Sequence, residues 1–232
     1  TRAQIVAFLV YDLLEFAGDD LRARPLHERR AQLETLVADA AADALVLSPT
    51  VHGDDWSTLA AQREQARTRG VEGLMLKRRD SPYGAGRVKL GPGGEWSKWK
   101  LDPLTVDAVL VYAQRGHGRR ASLYTDYTFA VWRDGELVPF AKAYSGLTDA
   151  EIRDVDAFVR ANTLEKFGPV RSVRPQIVME LGFEDIRRSS RHKSGIAVRF
   201  PRMLRLRHDK AVADADTLAH LHALLDAVRP GD

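Results

Sequence analysis

The sequence predicts an α+β domain followed by a small all-β barrel and a terminal helix. Short apolar runs rich in β-branched residues alternate with amphipathic helical stretches up to Leu101, and beyond Asp102-Pro103 strand-like runs follow one another with turns between them. A last stretch, Ala213 to Val228, carries Leu218, Leu221, Leu225 and Val228 on one helical side. With 232 residues, 44% of them hydrophobic, the chain can build two modest cores.

Ile5 to Asp12 is too short for a helix and reads as a buried strand, ended by Asp12 and then Gly18-Asp-Asp. Pro25 suits a first helical turn, where its missing N–H costs nothing, and Leu26, Arg30, Leu33, Leu36 and Val37 follow at helical spacing. Ala44 to Leu47 predicts a strand, Trp56 to Arg67 a helix stopped by Gly70, and Glu72 to Lys77 a third strand. The glycines and prolines from Asp80 to Gly94 predict a mobile loop before a strand at Trp96 to Leu101. The domains divide as 1–102 and 103–232, with Asp102-Pro103 a candidate hinge. In the second domain, strands are expected at Val106–Tyr112, Ser122–Trp132, Leu137–Ala143, Ile177–Phe183 and Ile196–Leu206, with a helix at Asp149–Asn162 between the third and fourth. That order is expected of a five-stranded Greek-key barrel of the OB type, and a five-stranded SH3-like barrel also fits.

No apolar run reaches the roughly 20 residues needed to cross a bilayer, so no membrane partner is expected. Zero cysteines exclude disulfides and thiolate metal sites, which fits a reducing cytoplasm and leaves oxygen or imidazole to hold any metal. The chain opens at Thr1 without methionine, as a fragment of a longer protein would. Twenty-seven arginines against eight lysines suggest a GC-rich, bacterial genome, and hence a cytoplasmic, nucleoid-associated protein. A net charge of +3 says little, but from Arg187 to Lys210 nine cations face one acid, Asp209. Such clustering reads as a phosphate-facing surface, a solvated basic face being the alternative.

Glu72, at a strand start beside glycine, can serve a hard divalent cation, which takes one or two protein carboxylates plus phosphate and water. Lys98 and Lys100 lie two apart on a strand and so point the same way, an arrangement of like charges that makes sense around an anion. Tyr11 ends its strand where a ring can stack on a purine or simply rim the core. Arg199 to Lys210 alternates apolar and basic residues, so Arg199, Arg205, Arg207 and Asp209 are expected on one face, with Asp209 orienting a guanidinium. Gly116-His-Gly-Arg119-Arg120 is a basic turn suited to a nucleic-acid backbone, or an exposed β-turn.

In order, Phe8-Leu-Val-Tyr-Asp-Leu-Leu14, Asp20 to Arg30, Glu72 to Lys77, Trp96-Ser-Lys-Trp-Lys100 and Phe200 to Lys210 resemble successive motifs of the ATP-dependent DNA ligases, within the covalent nucleotidyltransferase superfamily. The segment Gly182 to Gly195 resembles the barrel stretch leading into their last motif, which argues against a capping-type guanylyltransferase or an RNA ligase.

The resemblance implies the C-terminal part of an adenylation domain followed by an OB-fold barrel. It implies that Tyr11 stacks on adenine, Glu72 binds Mg²⁺, Lys98 and Lys100 contact the AMP phosphate, and Lys77 joins the nucleotide-binding set. Arg202, Arg207, Asp209 and Lys210 would close over ATP and orient its pyrophosphate, while Arg119, Arg120, Arg188, Arg191 and Lys193 would meet nicked double-stranded DNA. The chemistry implied is lysine adenylylation, AMP transfer to a 5′-phosphate, and sealing by a 3′-hydroxyl. The family's nucleophilic lysine belongs before Tyr11, yet no lysine occurs before Lys77, so a Lys-x-Asp-Gly motif is expected in a missing N-terminal part of the same protein. Without that part the chain should not adenylylate itself, and an apolar edge at Ile5 to Tyr11 should lack partner strands; the intact protein is expected to be a monomer. A non-catalytic DNA-binding module is the competing reading, which retention of Glu72, Lys98 and Lys100 together disfavours.

Overall fold

The computed structural model describes residues 6–84 and 95–229, and the chain divides into two units, Thr1–Leu101 and Asp102–Asp232. Ile5 and residues 85–94 of the expected loop lie outside the described residues.

In the first unit, β1 (Phe8–Val10) leads through a short hairpin, β2 (Glu15–Phe16) and β3 (Asp19–Asp20), into α1 (Leu26–Ala40), and the chain returns as β4 (Leu45–Leu47). β4 lies parallel to β1 with Phe8 opposite Leu45 and Val10 opposite Leu47, so α1 is the crossover that parallel strands require. The first strand was expected to be buried, but Phe8 is 70% and Leu9 55% exposed, because β1 pairs only with β4 among the described strands. α2 (Trp56–Glu64) starts where the Asp55 carboxylate accepts from the Thr58 N–H at 2.7 Å, and it ends short of the expected Arg67. β5 (Gly73–Lys77) and β6 (Trp96–Lys100) form an antiparallel ribbon in which Gly73 faces Lys100, Met75 faces Lys98 and Lys77 faces Trp96. On the ribbon's other face Trp99 meets Trp56 of α2 edge-on at 5.7 Å, with the Arg63 guanidinium 5.0 Å from its ring centre.

The second unit is a curled antiparallel sheet with two helices. Its strands are β7 (Leu104–Arg115), β8 (Tyr124–Arg133), β9 (Glu136–Ala143), β10 (Thr163–Phe167), β11 (Val170–Val173), β12 (Val178–Phe183), β13 (Asp185–Arg188), β14 (Ile196–Arg199) and β15 (Arg202–Leu206). The long β7 pairs with β8 along one edge; along the other it pairs with β12 over residues 104–109 and with β11 over residues 112–114. Five strands were expected and the sheet holds seven. The overlooked β10–β11 hairpin carries mainly exposed, polar residues on its first strand and so gives no apolar alternation to read. The expected single strand over 196–206 is two, broken at Phe200 (φ 52°) before Pro201, so that β14 pairs with β13 and β15 with β12. Arg199 and Arg205 therefore belong to different ribbons rather than one face.

The core sits between the sheet's inner face and α3 (Asp149–Ala161) and α4 (Leu218–Val228), with Tyr127, Phe129, Phe183, Val155, Leu221 and Leu225 fully buried. α3 opens with a reciprocal cap between Thr148 and Glu151, worth about 1 kcal/mol. Ahead of α4, the Trp132 indole N–H donates to the Val212 carbonyl at 2.8 Å and fixes the approach to the last helix.

Candidate active site

In the first unit several of the candidate side chains gather on one face of the β5–β6 ribbon. Strand alternation puts Lys98 and Lys100 on that face, and the register adds Lys77 from the neighbouring strand. The Glu72 carboxylate, one residue before β5, meets Lys100 Nζ at 2.8 Å. Both side chains are partly solvated, so this pair is worth at most about 1 kcal/mol and can be exchanged for stronger partners. Gly73 makes the approach possible: its φ of 136° suits glycine, and a Cβ there would run into the Trp99 carbonyl.

Lys77 Nζ lies 4.0 Å from the Trp96 ring centre and 4.4 Å from that of Tyr11. Burial among these groups lowers the Lys77 pKa from its ordinary value, with Asp12 opposing the shift. The half-exposed Tyr11 is also tied to Tyr83, whose own pKa is raised first by the hydrogen bond with Tyr11. Beneath them Arg29, fully buried, holds Asp12 in a fork: Nε to Oδ1 at 2.8 Å and Nη2 to Oδ2 at 2.9 Å. Arg29 Nη1 also donates to the carbonyls of Arg24 and Ser81. Four donors matched by two carbonyls and a carboxylate are what a buried charge requires. Sequence reasoning placed Asp12 at the end of the first strand but did not single out Arg29, although an arginine inside an otherwise amphipathic helix was the available signal.

In the second unit the last basic block is paired internally. Arg207 grips Asp209 through Nε and Nη2, both at 2.9 Å, and Asp107 through Nη1 at 2.7 and 2.9 Å. Lys210 Nζ reaches the same Asp107 at 2.6 Å, and Arg202 pairs with Glu184 at 2.8 Å. Arg207 holds the Asp209 carboxyl well below the usual carboxylate range. Arg207, His208 and Lys210 border a cleft of about 280 Å³ with Asp154, Gln176 and Ile177. Asp107 was missed, yet an acid within the apolar run Val106 to Tyr112 signals a buried carboxylate in need of cations.

The cations expected to meet DNA fall into two groups. Arg119 and Arg120 form a short 3-10 turn beside a cleft of about 540 Å³ shared with His117 and Arg153, where Arg120 pairs with Asp149 at 2.8 Å. Arg188 ends β13 and reaches Asp226 of α4 at 3.2 Å, and exposed Arg191 and Lys193 follow in the turn before β14. Arg115, Arg160 and Arg171 surround the Tyr124 ring at 5.6–6.0 Å, an arginine cluster that no local sequence motif announces.

Three ammonium groups on one ribbon face, of which Lys77 lies beside two aromatic rings, can receive phosphate oxygens, and the adjoining Glu72 carboxylate can receive a cation. Among the described residues no three His, Asp or Glu side chains gather to hold a metal by themselves, so a divalent ion would lean on Glu72 and on phosphate oxygens.

Two family models match the chain: the ATP dependent DNA ligase domain over residues 1–100 and the ATP dependent DNA ligase C terminal region over residues 120–210. A probable DNA ligase of Koribacter versatilis is 38% identical over 234 residues, which covers 92% of this chain and 40% of the relative. A probable DNA ligase of Opitutus terrae is 40% identical over 255 residues, covering 97% of this chain and 25% of the relative. The chain thus spans between a quarter and two fifths of the length of these relatives. A solved Lig E DNA ligase shares the fold at 17% identity and a TM-score of 0.61, over 87% of this chain and 63% of its own. The chain belongs to the ATP-dependent DNA ligase family.

Proposed function

We propose that this chain is the nucleotide- and DNA-engaging part of an ATP-dependent ligase that seals 5′-phosphate/3′-hydroxyl nicks in duplex DNA. The first unit is read as the C-terminal part of the adenylation domain and the curled sheet of the second as an OB-type barrel. The observation that carries this reading is the Glu72–Lys100 contact of 2.8 Å on the face shared with Lys98 and Lys77.

Lys98 and Lys100 bind the α-phosphate of the substrate ATP and of the AMP it yields, and preorganised positive charge counts for most where negative charge grows during transfer. Glu72, only weakly paired with Lys100, would hold a Mg²⁺, and the chemistry that ion would supply there is to offset phosphate charge. Tyr11 faces the adenine and Lys77 supports the same site. Arg202, Arg207, Asp209 and Lys210 serve the departure of pyrophosphate, and Arg119, Arg120, Arg188, Arg191 and Lys193 bind the DNA backbone. The nucleophilic lysine is assigned to another part of the longer protein.

The discriminating experiment is Lys100→Ala in the full-length protein. Nick sealing is expected to fall at least about 100-fold, as when one preorganised donor to a developing charge is lost, while duplex affinity changes little. Unchanged sealing would refute the reading, and equal loss of sealing and DNA affinity would favour a simple DNA-binding module. Residues 1–232 alone, incubated with labelled ATP and Mg²⁺, are expected to take up no covalent label.

A further inference from the structure

The last basic block is held by a residue from a strand far away in sequence. Asp107 is buried in β7, and its backbone is locked on both sides: its N–H donates to Asp216 Oδ2 at 2.7 Å, and its carbonyl accepts from the Asp216 N–H at 2.9 Å. From this fixed base its carboxylate takes Arg207 and Lys210 together. Side-chain exposure then rises outward, from 10% at Asp107 and 16% at Arg207 to 24% at Lys210 and 66% at Asp209. The four side chains form a graded stack of two acids and two bases. Arg207 divides its donors between two carboxylates, one below and one above, and these fix its orientation.

We propose that Asp107 is a positioning residue for the ATP-consuming step: it sets Arg207 and Lys210, and through Arg207 the carboxylate of Asp209, in the arrangement that acts on the nucleotide. The proposal rests on the ligase reading above. A carboxylate supporting two side chains that meet substrate belongs to the outer shell that fixes the geometry of a site. Neutralising it leaves two cations against one acid and frees both from their anchor. The sealing step, in which no pyrophosphate departs, does not call on this stack.

The test uses the full-length ligase with Asp107→Asn and Asp107→Glu, labelled ATP, a nick already carrying AMP on its 5′-phosphate, and thermal unfolding. Asp107→Asn is expected to lower kcat for self-adenylylation at least about 10-fold, the scale on which supporting-shell residues act. The KM for ATP should move much less, the pre-adenylylated nick should be sealed at near the wild-type rate, and Asp107→Glu should recover part of the lost rate. Wild-type labelling by Asp107→Asn, or equal loss of both steps in a folded variant, would overturn the proposal while leaving the ligase reading intact. Absence of labelling in the wild-type protein would instead defeat the ligase reading and this role with it. Should Asp107→Asn fail to fold, Asp107→Glu decides, since it keeps the charge but displaces it by one methylene. Slowed adenylylation with intact sealing then supports the proposal, and an unchanged first step overturns it.

Discussion

Arg29 and Lys77 show how single side chains build the first unit's candidate site. Removing one partner of a buried, hydrogen-bonded ion pair strands the other, so Arg29→Met is expected to cost about 3–5 kcal/mol in urea unfolding. Adding Asp12→Leu should recover part of that loss, though not all, because the Arg24 and Ser81 carbonyls still lose their donor. Lys77 yields a pH prediction. Burial lowers its folded pKa below the ordinary 10.5, so as pH rises through the window just under that value the folded state releases its proton first. The unfolded state then binds more protons, and stability must rise with pH there. Wild-type protein is thus expected to gain stability relative to Lys77→Met as pH rises toward the ordinary 10.5, as read from paired denaturant titrations. A gap that stays constant would place Lys77 in water. Local pattern made Lys77, Lys98 and Lys100 legible, because strand alternation is a rule of neighbours. Arg29 and Asp107 were not legible as partners, because their pairing depends on where distant segments come to rest.

At the level of elements, the turn after β9 lies against β15 along a tight backbone seam. The Met203 N–H donates to the Ser145 carbonyl at 2.9 Å, and the adjoining Gly146 sits at φ 117° with its Cα against the Met203 backbone. A methyl group at Gly146 would collide with the Met203 carbonyl, which belongs to backbone and cannot swing aside. Gly146→Ala is therefore expected to destabilise the protein by at least about 2 kcal/mol through clash and backbone strain together, measured by thermal unfolding. No change in stability would mean that this seam tolerates a side chain at Gly146. The helices α1, α3 and α4 were readable from their apolar spacing. The β10–β11 hairpin was not, since a polar strand owes its existence to the edge of β7 that it covers.

Across the whole molecule, the two units differ in how much they bury. Apart from Leu21, Leu33, Ala66 and Leu101, the buried apolar residues among those described belong to Asp102–Asp232. Val6, Phe8, Leu9, Val46 and Met75 of the first unit lie exposed. Two-stranded ribbons are marginal without a packed face, whereas a multi-stranded sheet closed by two helices holds its own core. Residues 102–232 expressed alone are expected to unfold in one cooperative thermal transition, while residues 1–101 alone should show none; the reverse result would contradict this division of the core.

Local patterning was enough for the main helices, most of the long strands and the facing of the lysines on β6, since periodicity and turn chemistry act over a few residues. Tertiary structure decided what those side chains meet. Asp107 lies 100 residues from Arg207 and 103 from Lys210, and such a pair exists only once β7, β12 and β15 have aligned. Charge balance around the buried Asp107 is a property of the assembled sheet, because burial is what obliges an acid to find its cation.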